Sequence, residues 1–159
     1  MTVVGVTGHR ELRHPADVRR QVDDVLRSLE PPLVGVTSLA AGADQLFAAA
    51  VVAAGGDLEV IVPADGYLES LPEHVRADFD RFESIATRVS VLEFAEVGGD
   101  AYLAAGLTML ERCDVLIAVW DGAASRGEGG TADIVRRARE RGIPVRIVDA
   151  ERGSASAPA

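Results

Sequence analysis

The sequence predicts a doubly wound α/β fold, a mainly parallel sheet enclosed between two helical layers as a three-layer α/β/α sandwich. Three observations predict it. Six short runs rich in Val and Ile recur along the chain, near-continuous in apolar residues, as in strands covered on both faces. Stretches with apolar residues at helical spacing separate them. Glycine-bearing turns follow several of the runs, where open parallel sheets place their ligands.

The strand-like runs lie near Val3–Val6, Leu33–Val36, Leu58–Val62, Val89–Leu92, Val115–Val119 and Val145–Val148. The first helical stripe is marked by Val18, Val22, Val25, Leu26 and Leu29, the second by Leu46, Phe47, Ala50 and Val51. Val75, Phe79, Phe82 and Ile85 mark a third, and Tyr102, Ala105, Leu107 and Leu110 a fourth. A fifth runs from about Ala132 to Arg141 and is stopped by Gly142 and Pro144. Residues 1–150 are read as a single domain. Residues 151–159, rich in Ser, Ala, Gly and Pro, are expected to form a disordered tail.

A chain of 159 residues is long enough to bury a full core. No apolar run approaches the roughly 20 residues that span a bilayer, and none at the start resembles a secretory leader. The lone Cys113 has no partner within the chain and is expected to fill the core, consistent with a reducing cytoplasm. The net charge is −9, and all sixteen basic residues are Arg. Without Lys, the chain has no P-loop lysine, no Schiff base and no lysine general base. Its excess acid removes the charge balance that drives non-specific nucleic-acid binding, so nucleic acid is not expected as a partner. His9, His14 and His74 lack metal-ligand spacing, so no metal is expected, and no cofactor is assigned.

Chemistry concentrates in the turns. Gly127-Glu128-Gly129-Gly130-Thr131-Ala132-Asp133 lies between the fifth run and the last helical stripe. Glycines let a backbone approach an anion, and the free first amides of a helix point at it. Gly127, Gly129, Gly130 and Thr131 are therefore candidate phosphate ligands, through amides and the Thr131 hydroxyl. Gly8-His9-Arg10 follows the first run: Gly8 for close approach, Arg10 as a planar fork for phosphate or carboxylate, His9 as a group that titrates near neutrality. Ser38-Leu39-Ala40-Ala41-Gly42-Ala43-Asp44 follows the second, and offers Ser38, Gly42 and Asp44. Asp44 reads equally as a helix-dipole partner or as a ribose-hydroxyl contact. Asp121, in Trp120-Asp121-Gly122, and Asp133 are the candidate acid-base groups; turn formation and helix-end charge are their structural alternatives. Pro63-Ala64-Asp65-Gly66-Tyr67 should face the same edge.

At these residues the chain resembles the SLOG superfamily, the Rossmann-like group that includes the DNA-processing protein DprA and the LOG phosphoribohydrolases. Val4 to Arg10 resembles the first-strand turn of the DprA side. Thr37 to Asp44 is similar to its Ser-Gly-x-Ala-x-Gly-Ile-Asp segment, and Gly127 to Thr131 to the LOG phosphate loop Gly-Gly-x-Gly-Thr. The resemblance implies a nucleotide or nucleotide-derived ligand. Two departures stand out: Glu128 replaces the second glycine of the pair, and Ile134 occupies the position of the LOG catalytic Glu.

Two functions remain open at this point. One is a sensor or carrier module that binds a nucleotide or related phosphorylated molecule in the cytoplasm. The alternative is a LOG-like nucleoside 5′-monophosphate phosphoribohydrolase, with Asp133 or Asp121 replacing the missing Glu. Ala-rich helix faces leave homo-oligomerisation open.

Overall fold

A computed structural model describes residues 1–124 and 129–151. Six strands form one sheet: β1 (Thr2–Gly8), β2 (Leu33–Thr37), β3 (Asp57–Val62), β4 (Arg88–Val91), β5 (Val115–Trp120) and β6 (Val145–Asp149). Every pairing is parallel, in the order β4-β3-β2-β1-β5-β6. The chain winds outward from β1 to β4, then crosses back beyond β1 to lay down β5 and β6. The winding direction reverses between β1 and β5, whose register pairs Val4 with Val115 and Gly8 with Val119. Such a reversal opens a crevice at the carboxyl ends of the two strands.

The helices are α1 (Pro15–Arg27), α2 (Ala43–Ala53), the short α3 (Tyr67–Ser70), α4 (Glu73–Ile85), α5 (Gly99–Arg112) and α6 (Thr131–Glu140). Periodicity locates the five longer ones. The single turn α3 is too short to show a stripe. Val18 and Val22 of α1, Phe47 and Val51 of α2, and Val75, Phe79 and Phe82 of α4 bury themselves on one sheet face with Val4 and Val6. Ala105, Met109 and Leu110 of α5, with Ile134 and Ala138 of α6, cover the other face with Val3, Val36 and Leu116. The result is the doubly wound, three-layer α/β/α arrangement expected from the alternation of runs.

Local chemistry sets the boundaries. Pro15 opens α1 where a missing N–H costs nothing, and the Ser28 amide closes the helix on the Val25 carbonyl at 3.0 Å. Gly142, at φ +72°, ends the turn after α6 in a conformation that suits glycine. The edge strands are wetter than their apolar runs suggest. Val89 and Val91 on β4 and Ile147 on β6 are exposed, because an outermost strand has a neighbour on one side only. Residues 152–159, expected to be a tail, lie outside the described residues.

Candidate functional site

The turn after β1 and the start of α2 are fastened together. The Ala43 amide donates to the His9 carbonyl at 3.0 Å. Gly42, at φ +76°, lies so close that a Cβ there would stand 2.5 Å from the carbonyl oxygens of both His9 and Arg10. Gly42 lines neither cleft described below, so its position is a matter of backbone packing. Gly8 borders both clefts, yet its lack of a side chain is also explained from behind. A Cβ there would meet Ala43 and Val119 at 2.6 and 2.7 Å.

This fastening holds Arg10 at the mouth of the crevice. Its guanidinium sits 5.0 Å from the ring centroid of Tyr102, which comes from the first turns of α5. The side chain is exposed and makes no hydrogen bond or ion pair with any described residue. It is a cation held by a ring face, with no described residue engaging its fork.

Asp44 projects from the first turn of α2 into the same crevice. Its Oδ2 accepts the Ala40 amide at 3.1 Å. Burial pushes the carboxyl up to about 6, against the opposing pull of the Ala40 amide, the Arg10 charge, the Ser38 amide and the Thr37 hydroxyl. The loop that wraps it contains Leu39 at φ 57°, a left-handed conformation costly for a leucine. Leu39 is held there by complete burial, by its amide on Thr37 Oγ1 at 3.0 Å, and by its carbonyl accepting Gln45 Nε2 at 3.1 Å. That strain aims the Ser38 and Ala40 amides at Asp44. Tyr67, from α3, completes the wall; burial and the Asp44 charge raise its hydroxyl well above the ordinary tyrosine range.

The loop before α6 is arranged differently from expectation. The Gly129 amide, expected to be free for phosphate, donates to Asp133 Oδ2 at 3.0 Å. Asp133 Oδ1 accepts Arg136 at 2.6 Å and Arg137 at 3.0 Å. Burial pushes this carboxyl upward, but the Gly129 amide and the two guanidiniums outweigh it and hold it below the ordinary range. Asp133 borders neither cleft. A carboxylate engaged on both oxygens and turned away from the crevice is a helix-end clamp, so the role of acid-base group does not suit it. Gly130 caps α6, and the amides of Gly130, Thr131 and Ala132 have no partner among the described residues. Gly127 and Glu128 lie outside the described residues.

At the end of β5, the Asp121 amide donates to His9 Nε2 at 3.1 Å, and Asp121 Oδ1 accepts the Ala123 amide at 2.9 Å. The same Nε2 lies 3.4 Å from Asp121 Oδ1. The Ala123 amide, with the nearby His9, holds the Asp121 carboxyl below its ordinary range. Asp121 is exposed, so it remains ionised near neutrality.

Two connected spaces result. An inner cavity of about 160 Å³ is walled by Asp44, Ser38 and Thr37 on one side and by Ile61, Tyr67 and Met109 on the other. An outer cleft of about 820 Å³ is bordered by His9, Arg10, Arg13 and Asp121. Gly8, Arg10, Tyr102, Gly129, Gly130 and Thr131 border both. The structure thus gathers Gly8, Arg10, Ser38, Asp44, Gly129, Gly130 and Thr131 around the inner space, and His9 and Asp121 around the outer one. It adds Tyr67, Tyr102, Ile61 and Met109. Tyr102 reads as core from its helical spacing, and Tyr67 was visible only as the end of a turn. Among the described residues no cluster of His, Cys, Asp and Glu could hold a metal ion, and no helix is long and apolar enough to cross a membrane.

No family model matches the chain, and no curated protein matches it. Its fold does match solved structures. DNA processing protein A from Streptococcus pneumoniae superposes with a TM-score of 0.67 at 22% identity, over 92% of this chain and 50% of that one. DNA processing protein A from Helicobacter pylori gives 0.63 at 15% identity, over 92% and 64%. A protein named TM1055 gives 0.59 at 16%, over 91% and 72%. The fold is therefore the Rossmann-like α/β fold that these structures share, and the chain spans about half the length of the S. pneumoniae protein.

One expectation needs correction. Nucleic acid was not expected as a partner because the chain is acidic overall, yet the H. pylori protein of this fold is described by its single-stranded DNA binding mode. Net charge sums over a whole surface. A single strand is held locally, by a few guanidiniums and by rings on which bases stack, and a total of −9 says little about one cleft.

Proposed function

We propose that this protein binds a nucleotide or a nucleotide-derived phosphorylated ligand at the carboxyl ends of β1, β2 and β5, as a sensor or carrier module. Arg10 is the observation that carries the reading: an exposed guanidinium, steadied on Tyr102, with no hydrogen bond or ion pair to any described residue. It borders both spaces, as do Gly130 and Thr131, whose amides begin α6 without a partner among the described residues. A phosphate in the outer cleft would meet a fork, a helix dipole and the Thr131 hydroxyl together. The rest of the ligand would extend into the inner cavity.

Thermal unfolding in the presence of AMP, CMP, GMP, UMP, ribose 5-phosphate and a single-stranded oligonucleotide tests this. The oligonucleotide is included because the H. pylori protein binds single-stranded DNA. A ligand at about 100 times its dissociation constant should add roughly 2.7 kcal/mol of stability. No shift with any of them would overturn the reading.

The alternative, hydrolysis of a nucleoside 5′-monophosphate to free base and ribose 5-phosphate, gains support from one feature. Asp44, with its carboxyl raised to about 6, takes up and releases a proton nearer neutrality than an ordinary carboxyl does, at the edge of the cavity. Free base released from the four monophosphates, detected by chromatography, would favour this alternative. Its absence would leave the binding reading in place.

A further inference from the structure

Two polar side chains on the inner cavity are buried, and they differ in how they are satisfied. Thr37, 1% exposed, accepts the Leu39 amide on Oγ1 at 3.0 Å and pairs with the Asp44 carboxyl. Tyr67 is 3% exposed, and its hydroxyl makes no hydrogen bond with any described residue. A buried tyrosine O–H ordinarily finds a partner, and one without a partner calls for a reason. Every enclosed side-chain nitrogen and oxygen among the described residues has a partner, so the Tyr67 oxygen is not sealed in the core. It opens on the cavity that Tyr67 borders.

The packing of this residue does not require that oxygen. Its ring meets Phe79 edge-on, with centroids 6.1 Å apart and planes at 63°, a contact that a phenylalanine makes equally well. The backbone beneath it is fixed independently. The Tyr67 amide donates to the Ala64 carbonyl at 3.3 Å, and its carbonyl accepts the Ser70 hydroxyl at 2.6 Å.

We propose that Tyr67 is a ligand-binding residue whose hydroxyl forms a hydrogen bond with a sugar hydroxyl of the phosphorylated ligand. This rests on the nucleotide-binding reading above and assigns the part of the ligand that first enters the inner cavity. The charge of Arg10 acts on both Asp44 and Tyr67. A group joined directly to a phosphate on Arg10 therefore lies at their level, and in a nucleotide that group is the sugar. Burial, with the Asp44 charge, raises the Tyr67 hydroxyl well above the ordinary tyrosine range, so it keeps its proton and can donate as well as accept. A sugar hydroxyl takes that hydrogen bond and still has its own O–H to turn toward Asp44. A carbonyl oxygen has no proton to offer and would face the carboxylate bare.

Isothermal titration of ribose 5-phosphate and AMP into the full chain, wild-type and Tyr67→Phe, tests this, with urea denaturation of both proteins alongside. Tyr67→Phe should weaken both ligands by the same factor, about fivefold or more, and leave the urea midpoint unchanged. Affinities that the substitution does not alter overturn the contact and leave phosphate recognition by Arg10 standing. A loss confined to AMP puts the hydroxyl on the base and overturns the sugar assignment. A large fall in the urea midpoint means that the fold itself engages the hydroxyl, and overturns the proposal too. Binding of neither ligand by the wild-type protein overturns the nucleotide-binding reading together with it.

Discussion

Ile134 occupies the space above Gly106, where its Cδ1 lies 2.4 Å from the point at which a Cβ on that glycine would stand. Ile134 is 2% exposed and joins α6 to α5 on the second sheet face. The position that carries a catalytic Glu in the LOG resemblance is here part of the core, reached through a notch that only glycine leaves. Restoring the acid should therefore unfold the protein before it restores chemistry. Ile134→Glu should cost about 3 kcal/mol or more, from a buried unpaired charge, and Gly106→Ala about 1–3 kcal/mol, from overpacking. Urea denaturation of both variants checks this; full stability of Ile134→Glu would show that the notch is open to water.

The fold was legible because each strand carries its own apolar run and each long helix its own stripe. The reversal between β1 and β5, by contrast, is a long-range pairing that no local pattern encodes. Arg10, Asp44 and Thr131 could be named as residues following strands in a parallel sheet. What Gly129 and Asp133 do could not, because a helix-end acid that clamps its own loop reads the same as one that faces a ligand. Gly8 and Gly42 show the same limit: the sequence asks for small residues there, but the reason is the approach of Val119 and of the His9 and Arg10 carbonyls. Leu39 gave no sign of its left-handed backbone, since tertiary burial and its hydrogen bonds with Thr37 and Gln45 impose it.

Arg10 should matter to ligands and little to folding. It is exposed, and its guanidinium rests on the ring of Tyr102 without a hydrogen bond or ion pair to any described residue. Arg10→Ala should weaken binding of a phosphorylated ligand about tenfold or more while costing about 1 kcal/mol or less of stability. Arg10→Lys keeps the charge but loses the planar fork and should fall between the two. Titration calorimetry alongside thermal unfolding separates these effects; a large loss of stability in Arg10→Ala would make the residue structural.

Asp133 should behave in the opposite way. Its carboxylate joins the Gly129 amide to Arg136 and Arg137 at the start of α6. Asp133→Ala should destabilise the protein by about 1–2 kcal/mol, as loss of a helix-end acid and its hydrogen bond commonly does. Because the folded carboxyl is held below its ordinary value of 3.8, the stability it contributes is present above that value and is lost as pH falls through the lower, folded one. The stability of the wild-type protein should fall more steeply than that of Asp133→Ala in this acid range, as followed by chemical denaturation.

Asp44 predicts a slope of the other sign in a different window. Burial raises its folded carboxyl to about 6 from an ordinary 3.8, so between those values the folded chain holds a proton that the unfolded chain has released. Its contribution is complete below the lower value, declines as pH rises, and is gone above the upper one. Asp44→Asn has no proton to exchange and should remove that decline, so wild-type and variant curves should diverge between the two values and run parallel above them. A carbon-detected NMR titration of the Asp44 carboxyl should show its midpoint near 6. A midpoint at the ordinary value would mean that water fills the inner cavity freely, and the carboxyl would then carry no such pH dependence.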